Sequence, residues 1–309
     1  MTTLQQALAP SITKAASRQT YYTIRFLADR ERVADAYRAY AYFRWVDDTL
    51  DASETDAQKR IEFLEQQKYL LEKTYQGVPL QVAATEENML IELIQQDGEH
   101  ESGLQVYLGN MMRVMDFDAR RRGTLISHFE LNEYTRWLAS AVTEAMHYFI
   151  GHDSFTPHDE TRYLAVTAAH ITHMLRDTFD DIQVGYYNIP RETLEAGHIQ
   201  PQETLSRTYQ DWVRSRVRLA RRYFKAGREY FDRIENPRCR LAGYAYIARF
   251  EWLLDTFERE DYFLRPEYKE RKSMKTGLRM GLQTLLSLVH LRERQNLASP
   301  VVSRSIRKP

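Results

Sequence analysis

Two short segments of the chain contain pairs of aspartates four residues apart. Asp47 and Asp51 lie in VDDTLD, and Asp177 and Asp181 lie in RDTFDD. An α-helix has 3.6 residues per turn, so each pair projects from one helix face. Carboxylate oxygens suit Mg²⁺, and also Mn²⁺, and a bound Mg²⁺ commonly takes further oxygens from substrate phosphates. Two such faces opposed across a cavity would form an acidic clamp for magnesium and a diphosphate.

Charged neighbours extend both pairs. Asp48 and Asp180 add one more carboxylate to each segment, so we include them among the candidate metal ligands. Arg44 falls within the arc of roughly 100° that the first acidic group occupies on its helix. Because a guanidinium is a planar donor that matches phosphate oxygens, Arg44 is a candidate ligand for the same diphosphate. Arg176 flanks the second pair.

An acidic pair at this spacing, taken alone, lies more often on a solvated helix face. Here the first pair ends the segment AYRAYAYFRWV and the second follows YLAVTAAHITHML, and both segments are apolar on nearly all sides. Such a pattern indicates burial, and buried carboxylates require cations or a metal. The sequence therefore favours a metal and diphosphate clamp over two surface patches.

Histidines near the second pair allow two interpretations. His170 and His173 share an arc of roughly 80° with that pair, although an inward histidine is more often a hydrogen-bonded core residue than a ligand. On the preceding predicted helix, Glu144 and His147 have the Glu-x-x-His spacing of di-iron helix bundles, a fold that needs two copies of this element. We keep a di-iron oxidase as a distant alternative.

Most of the chain is predicted to be helical. The 309 residues include only 12 glycines and nine prolines, apolar residues recur at three- and four-residue spacing, and strand signals are almost absent. The predicted helices cover residues 31–51, 57–75, 81–97, 101–121, 131–150, 157–182, 206–235, 237–263 and 267–295. We predict an all-α protein with a single domain over 1–309, a core over 17–295 and a frayed tail over 296–309.

Local signals define the helix of the second pair. Thr156 followed by Pro157 predicts a capped helix start at residue 157, and Gly151 closes the preceding helix. Gly185 and Pro190 indicate that the helix ends shortly after its acidic pair.

Composition limits the partners and the compartment. The chain has 43 basic and 43 acidic residues, which argues against nucleic acid as a partner, and the single cysteine, Cys239, excludes an intrachain disulfide framework. With neither an apolar leader nor a run of about 18 apolar residues, we expect a cytoplasmic protein. A basic stripe on one predicted helix leaves peripheral contact with lipid headgroups open. This stripe consists of Arg214, Arg218, Arg221, Lys225 and Arg228.

These segments resemble those of a known family. AYAYFRWVDDTLD is similar to the first aspartate-rich helix of the squalene/phytoene synthases, and HITHMLRDTFDDIQVGYYNIP is similar to the second. Between them, Tyr134 in EYTRWLASAV lies where the family has a tyrosine. ARRYFKAGREYF resembles the family's following helix, so the resemblance covers about residues 17–265.

The resemblance implies an isoprenoid-synthase-type helical bundle around a central cavity, with three magnesium ions and allylic prenyl diphosphates as substrates. In that scheme the aspartates Asp47, Asp51, Asp177 and Asp181 hold magnesium, and Tyr134, Arg44 and Arg176 help to hold the diphosphate. The remaining positions implied to contact substrate are Arg18, Thr20, His170, His173 and Arg265.

The sequence departs from the family around the implied substrate pocket. His170 and His173 replace a glutamine and an asparagine, and Ser140 and Thr143 replace the glycines of a Gly-x-x-Gly element. Further departures are Tyr186 and Asn188 after Gly185 and Arg18-Gln19-Thr20 at the entry motif. Near the C-terminus the match to the family's motif is ambiguous. Either Tyr244 or Tyr246, and either Arg259 or Arg265, could correspond to the family's residues.

The favoured hypothesis is head-to-head condensation of two farnesyl or geranylgeranyl diphosphates. The departures keep open a terpene cyclase that uses one substrate, or prenyl transfer to another acceptor. A non-catalytic descendant is a further alternative. The sequence does not determine the length of the substrate's prenyl chain, whether a reductive step with NADPH follows, or the oligomeric state.

Overall fold

The computed structural model describes residues 3–52 and 56–269, and this part of the chain is built of α-helices without a β-strand. The helices are α1 (Thr3–Ala16), α2 (Arg18–Leu27), α3 (Val33–Asp51), α4 (Ala57–Tyr75), α5 (Thr85–Gln95), α6 (Gly103–Arg121), α7 (His128–Phe149), α8 (Leu164–Val184), α9 (Arg191–Gly197), α10 (Arg207–Asp232) and α11 (Pro237–Arg259). The all-α fold class is confirmed.

Hydrophobic periodicity located the long helices well. The segment predicted over 57–75 has the bounds of α4, and those predicted over 31–51 and 101–121 differ from α3 and α6 by two residues at their starts. Three helices, α1, α2 and α9, were not predicted. Most of the helix predicted over 267–295 and the tail over 296–309 lie outside the described residues.

The predicted start of α8 was wrong. The helix begins at Leu164, because the polar residues expected to cap it are engaged elsewhere. The Thr156 hydroxyl accepts a hydrogen bond from Arg162 Nη1 at 2.8 Å, and Asp159 forms an ion pair with Arg233, the residue that follows α10. Its end agrees with the prediction: Gly185 adopts φ 89°, a left-handed conformation that glycine adopts without strain.

Helix α8 lies at the centre of the packing. It contacts α7, α10 and α11, while α6 packs along α7 and α3 packs against α5 and α6. Helices α8 and α10 approach closely where Gly227 faces Ala165, since a Cβ on Gly227 would lie 2.6 Å from that of Ala165. This arrangement encloses a cavity between α3, α6, α7 and α8.

The basic stripe of α10 is largely ion-paired with α11 and the turn that follows it. Arg214 pairs with Asp261 at 3.3 Å, Arg221 with Glu258 at 2.7 Å, and Arg228 with Glu251. The stripe therefore contributes to a helix–helix interface, and lipid contact through it stays a prediction. Within the described residues, none of the helices has the length and apolar character needed to cross a bilayer.

Candidate active site

Both aspartate pairs line one cavity of about 500 Å³. Asp47 and Asp51 come from α3, and Asp177 and Asp181 come from α8. The i,i+4 spacing turns each pair toward the same space, as the sequence predicted. The tertiary fold thus brings four carboxylates to a single cleft.

The carboxylates repel one another in this cleft. Burial and the neighbouring Asp51 raise the pKa of Asp47 to about 6, and burial and Asp177 raise the pKa of Asp181 to about 7. Concentrated negative charge of this kind is relieved by a bound cation. Because the donors are carboxylate oxygens, the site fits a hard divalent ion such as Mg²⁺.

Asp177 is fully ionised because it has donors on both oxygens. Burial works to raise its pKa, but hydrogen bonds from His173 and Arg176 outweigh burial and hold the pKa well below its ordinary value. His173 Nε2 lies 2.9 Å from Asp177 Oδ2, and Arg176 Nε donates to Oδ1 at 2.5 Å. His173 also lines the cavity, with half of its side chain exposed.

Arg44 binds the acids on its own helix. Its Nη1 donates to Asp47 Oδ2 at 3.1 Å and its Nε to Asp48 Oδ2 at 3.0 Å. Asp48 is 56% exposed, and neither it nor the exposed Asp180 lines the cavity. Each stands one residue, about 100°, around the helix from an inward aspartate. Asp48 and Asp180 therefore lie away from the cavity in the described structure, and their assignment as metal ligands stays a prediction.

Asp118 and Arg121 of α6 also line the cavity, although no sequence motif pointed to them. Asp118 accepts a hydrogen bond from Tyr134 Oη at 2.9 Å and accepts another from Arg121 Nε at 2.7 Å. Arg121 Nη1 donates to Asn188 Oδ1 at 2.8 Å, and Asn188 Nδ2 donates to Asp181 Oδ2 at 2.7 Å. This relay of hydrogen bonds connects Asp118 of α6 and Tyr134 of α7 to Asp181 of α8, with Asn188 as the direct donor to Asp181.

Burial dominates the electrostatics of the relay. It raises the pKa of Asp118, and it raises the pKa of the Tyr134 phenol well above its ordinary value, so Tyr134 keeps its proton. The Arg121 guanidinium lies 4.9 Å from the centre of the Tyr134 ring and 5.0 Å from that of Tyr186, which is a cation–π arrangement. In the sequence, MDFDARR alternates acids, apolar residues and bases, a pattern that also fits a solvated helix face.

His170 is a neutral residue of the cavity wall. Burial lowers its pKa to about 3, and its ring centre lies 5.1 Å from that of Tyr134. Its Nε2 atom is buried and finds no hydrogen-bond partner among the described residues. His170 thus presents an unsatisfied polar atom in a cavity that the sequence predicted it would face.

Other predicted substrate-binding residues lie away from this cavity. Arg18 is exposed on α2, and the Thr20 hydroxyl shares a hydrogen bond of 2.9 Å with Ser17. Arg265 Nε pairs with Glu260 at 2.9 Å. None of these three predicted residues is part of the cavity lining in the described structure.

The sequence left open whether Tyr244 or Tyr246 matches the family's tyrosine, and the two side chains of α11 have different surroundings. Tyr244 donates to Asp232 Oδ1 at 2.5 Å and faces α10. The Tyr246 ring packs 5.4 Å from Phe250, whose ring centre lies 6.3 Å from that of His173. Tyr246 is therefore the one on the side of the aspartate cleft.

Glu144 and His147 belong to a separate buried network. Both Glu144 oxygens accept hydrogen bonds of 2.7 Å from Arg162, and His147 Nε2 lies 2.9 Å from Tyr230 Oη. Within the described residues no three or more histidines, cysteines and acids lie close enough together to hold a metal by themselves, and this is true of the aspartate cleft as well as of Glu144 and His147. This geometry gives no support to a di-iron centre.

Comparisons with known proteins agree with this architecture. The chain matches the squalene/phytoene synthase family model over residues 13–275. It has a TM-score of 0.66 to the crystal structure of squalene synthase HpnC from Alicyclobacillus acidocaldarius, at 17% identity over 84% of this chain and 95% of that one. A dehydrosqualene synthase structure with ligand gives a TM-score of 0.66, at 18% identity over 94% of this chain and 97% of that one.

At these identities the structural similarity shows a shared fold. No curated protein matches the chain by sequence. The family match spans most of the 309 residues and includes both aspartate pairs, Tyr134 and Asp118. The chain belongs to the squalene/phytoene synthase family and is an enzyme of the prenyltransferase type.

Proposed function

We propose that this enzyme ionises allylic prenyl diphosphates with the help of Mg²⁺ and joins two of them head to head, with farnesyl or geranylgeranyl diphosphate as substrate. The observation that carries the proposal is the meeting of Asp47, Asp51, Asp177 and Asp181 in one cavity. Family membership supports condensation of prenyl diphosphates in general.

The two aspartate pairs would hold the metal. Mg²⁺ bound there supplies Lewis-acid stabilisation of the departing diphosphate. The raised pKa values of Asp47 and Asp181 support this assignment, because burial first and neighbouring carboxylates second disfavour the charged form, and a bound cation would offset both.

Two arginines beside the cleft are candidate ligands for the diphosphate, although neither lines the cavity in the described structure. Arg44 and Arg176 each donate to an aspartate of the cleft, Asp47 and Asp177 respectively. When a metal neutralises these carboxylates, the guanidinium groups can turn their planar donors to phosphate oxygens at the same place. Such donors stabilise the charge that develops on the leaving group.

Residues of α6 and α7 would position and shield the reacting chain. The relay from Tyr134 through Asp118 and Arg121 holds Asp181 in place. Below the carboxylates the cavity is lined by thioether and aliphatic side chains, which exclude water from a cationic chain. These are Leu50, Met111, Val114, Met115, Leu138 and Met174.

Product analysis tests the proposal. The purified protein is incubated with farnesyl or geranylgeranyl diphosphate and Mg²⁺, with and without NADPH, and the hydrocarbons are identified by gas chromatography with mass detection. We expect a C30 or C40 product. A hydrocarbon with the carbon count of one substrate, or no product, would contradict head-to-head condensation.

Matched variants assign the metal site. Asp47→Asn and Asp177→Asn should each lower kcat/KM by about 10²-fold or more, as expected for loss of a transition-state charge contact. Asp48→Asn is the control, because Asp48 is next to Asp47 but lies outside the cavity. Equal losses in all three variants would contradict the assignment.

His170 favours a second candidate function. Its neutral, unsatisfied Nε2 could accept a proton from a cation formed from one substrate, as a terpene cyclase requires. A C15 or C20 olefin that disappears in His170→Phe, while consumption of the diphosphate continues, would support this function.

A further inference from the structure

A second cavity adjoins the active cavity and shares the lining residue Met174 with it. It has a volume of about 220 Å³ and is bounded by α7, α8 and α10, so we call it the α10 groove. Most of its lining is apolar, and the side chains of Asn132, Arg136 and Arg216 also line it; the aliphatic and thioether lining residues are Leu131, Ala139, Leu164, Ile171, Met174 and Leu219.

Even the threonines of the α10 groove present apolar surface. Thr135 Oγ1 donates to the Leu131 carbonyl at 2.7 Å, and Thr167 Oγ1 donates to the Tyr163 carbonyl at 3.0 Å. Both hydroxyl groups are satisfied by their own helix and do not require a partner in the groove. Arg136, another lining residue, has two-thirds of its side chain exposed (66%), so the groove reaches the surface there.

Met174 separates the α10 groove from the active cavity. This buried side chain lines both spaces, so the wall between them is one side chain thick at this point. Methionine is unbranched and has three rotatable bonds, which lets it move aside at little cost. It precedes Asp177 by three residues, a rise of about 4.5 Å along the helix.

The length of the α10 groove fits a prenyl chain. On α8 the lining runs from Met174 to Leu164, ten residues, or about 15 Å. A chain whose diphosphate is held beside Asp177 would pass Met174 within its first isoprene units and then follow this apolar surface.

We propose that the α10 groove is a binding site for an isoprenoid chain, which enters it from the active cavity past Met174. The inference rests on the proposed function, because the diphosphate of the same molecule must lie at the aspartate clamp. The groove then sets how long a chain the enzyme accepts.

Photoaffinity labelling tests this placement. The probe is a non-hydrolysable C15 thiolodiphosphate with a diazirine at the chain end, used with Mg²⁺ and the full-length protein. We expect Mg²⁺-dependent labelling of the groove face of α8, at Thr167 or Ile171. Labelling confined to Met111, Val114 and Met115 of the active cavity would overturn this inference and leave the proposed function standing. Absence of Mg²⁺-dependent labelling anywhere would overturn both.

Variants give an independent measurement by calorimetry. Thr167→Phe fills the groove without touching the active cavity, and it should weaken binding of a C20 thiolodiphosphate by about tenfold, the effect of misfitting a small apolar group. Met174→Ala should strengthen C20 binding relative to C15. Lys225→Phe, at an exposed position of α10 outside the groove lining, is the control.

Unchanged C20 affinity in folded Thr167→Phe protein would overturn the proposal. Thermal unfolding establishes that each variant is folded. If Thr167→Phe does not fold, the labelled position in the wild-type protein decides the question.

Discussion

Tyr134 donates a hydrogen bond to Asp118 at 2.9 Å, and the charge of Asp118 acts on both aspartate pairs. Its negative charge contributes to the raised pKa values of Asp47 on one wall and Asp181 on the other. Through Arg121 it also supports the donor that orients Asp181. Asp118 is thus the structural link between the two halves of the proposed metal site.

Replacing Asp118 should damage both stability and activity. Asp118→Asn leaves the buried Arg121 guanidinium without its ionic partner, a change that costs about 3–5 kcal/mol in buried pairs. We expect a lower midpoint in chemical denaturation and a loss of Mg²⁺-dependent turnover. Asp116→Asn on the same helix is the control, because Asp116 pairs with Lys68 and Arg120 outside the cavity. Equal behaviour of the two variants would contradict a special role for Asp118.

Magnesium should stabilise the protein more at high pH than at low pH. The folded-state pKa values of Asp47 and Asp181, about 6 and about 7, lie above the ordinary 3.8. Without metal, their contribution to stability is therefore full below about pH 4 and is lost as the pH rises through 6 to 7. Mg²⁺ binds the ionised form, and at 100 times its Kd it adds about 2.7 kcal/mol.

Calorimetric unfolding at pH 5 and pH 8, with Mg²⁺ and with EDTA, measures this effect. The rise in Tm caused by Mg²⁺ should be larger at pH 8 and should shrink in Asp181→Asn. A rise that is the same at both pH values would show that these carboxylates are not the ligands.

The Glu144–Arg162 pair should be important for folding and not for metal binding. Its two hydrogen bonds of 2.7 Å are buried, so Glu144→Gln removes the ionic partner of Arg162 and should cost about 3–5 kcal/mol of unfolding free energy. Glu133→Gln breaks the exposed pair with Arg136 and should cost less than about 1 kcal/mol. Urea denaturation compares the two variants, and iron found in the purified protein and lost in Glu144→Gln would revive the di-iron alternative.

Acid should destabilise the protein through His147. Burial lowers its folded-state pKa from 6.5 to about 3, since the ring is held neutral beside Tyr230 and Cys239. Below pH 6.5 the unfolded chain binds a proton that the folded protein does not, so stability falls by up to about 1.4 kcal/mol per pH unit until pH 3.

His147→Gln should therefore unfold with a weaker dependence on pH between 6.5 and 4. His100→Gln, at an exposed position, is the control and should follow the wild-type curve. Parallel curves for wild type and His147→Gln would contradict this prediction.

Local sequence signals predicted the helices, and long-range contacts explain where they failed. The bounds of α4 and the end of α8 at Gly185 follow from periodicity and from one glycine, which act over a few residues. The start of α8 was misplaced because Thr156 and Asp159 bind Arg162 and Arg233 instead of capping a helix. The bond to Arg233 joins residues 74 positions apart, which no local pattern reveals.

The sequence by itself determined that each aspartate pair shares a helix face, because the 3.6-residue turn alone sets this relation. It also determined the all-α class and the family resemblance. Only the tertiary structure decided that the two faces line one cavity, that Asp48 and Asp180 lie outside it, and that Asp118 joins it. The physical reason is that the packing of α6, α7 and α8 selects which polar residues face the cavity, and this packing depends on contacts far apart in the chain.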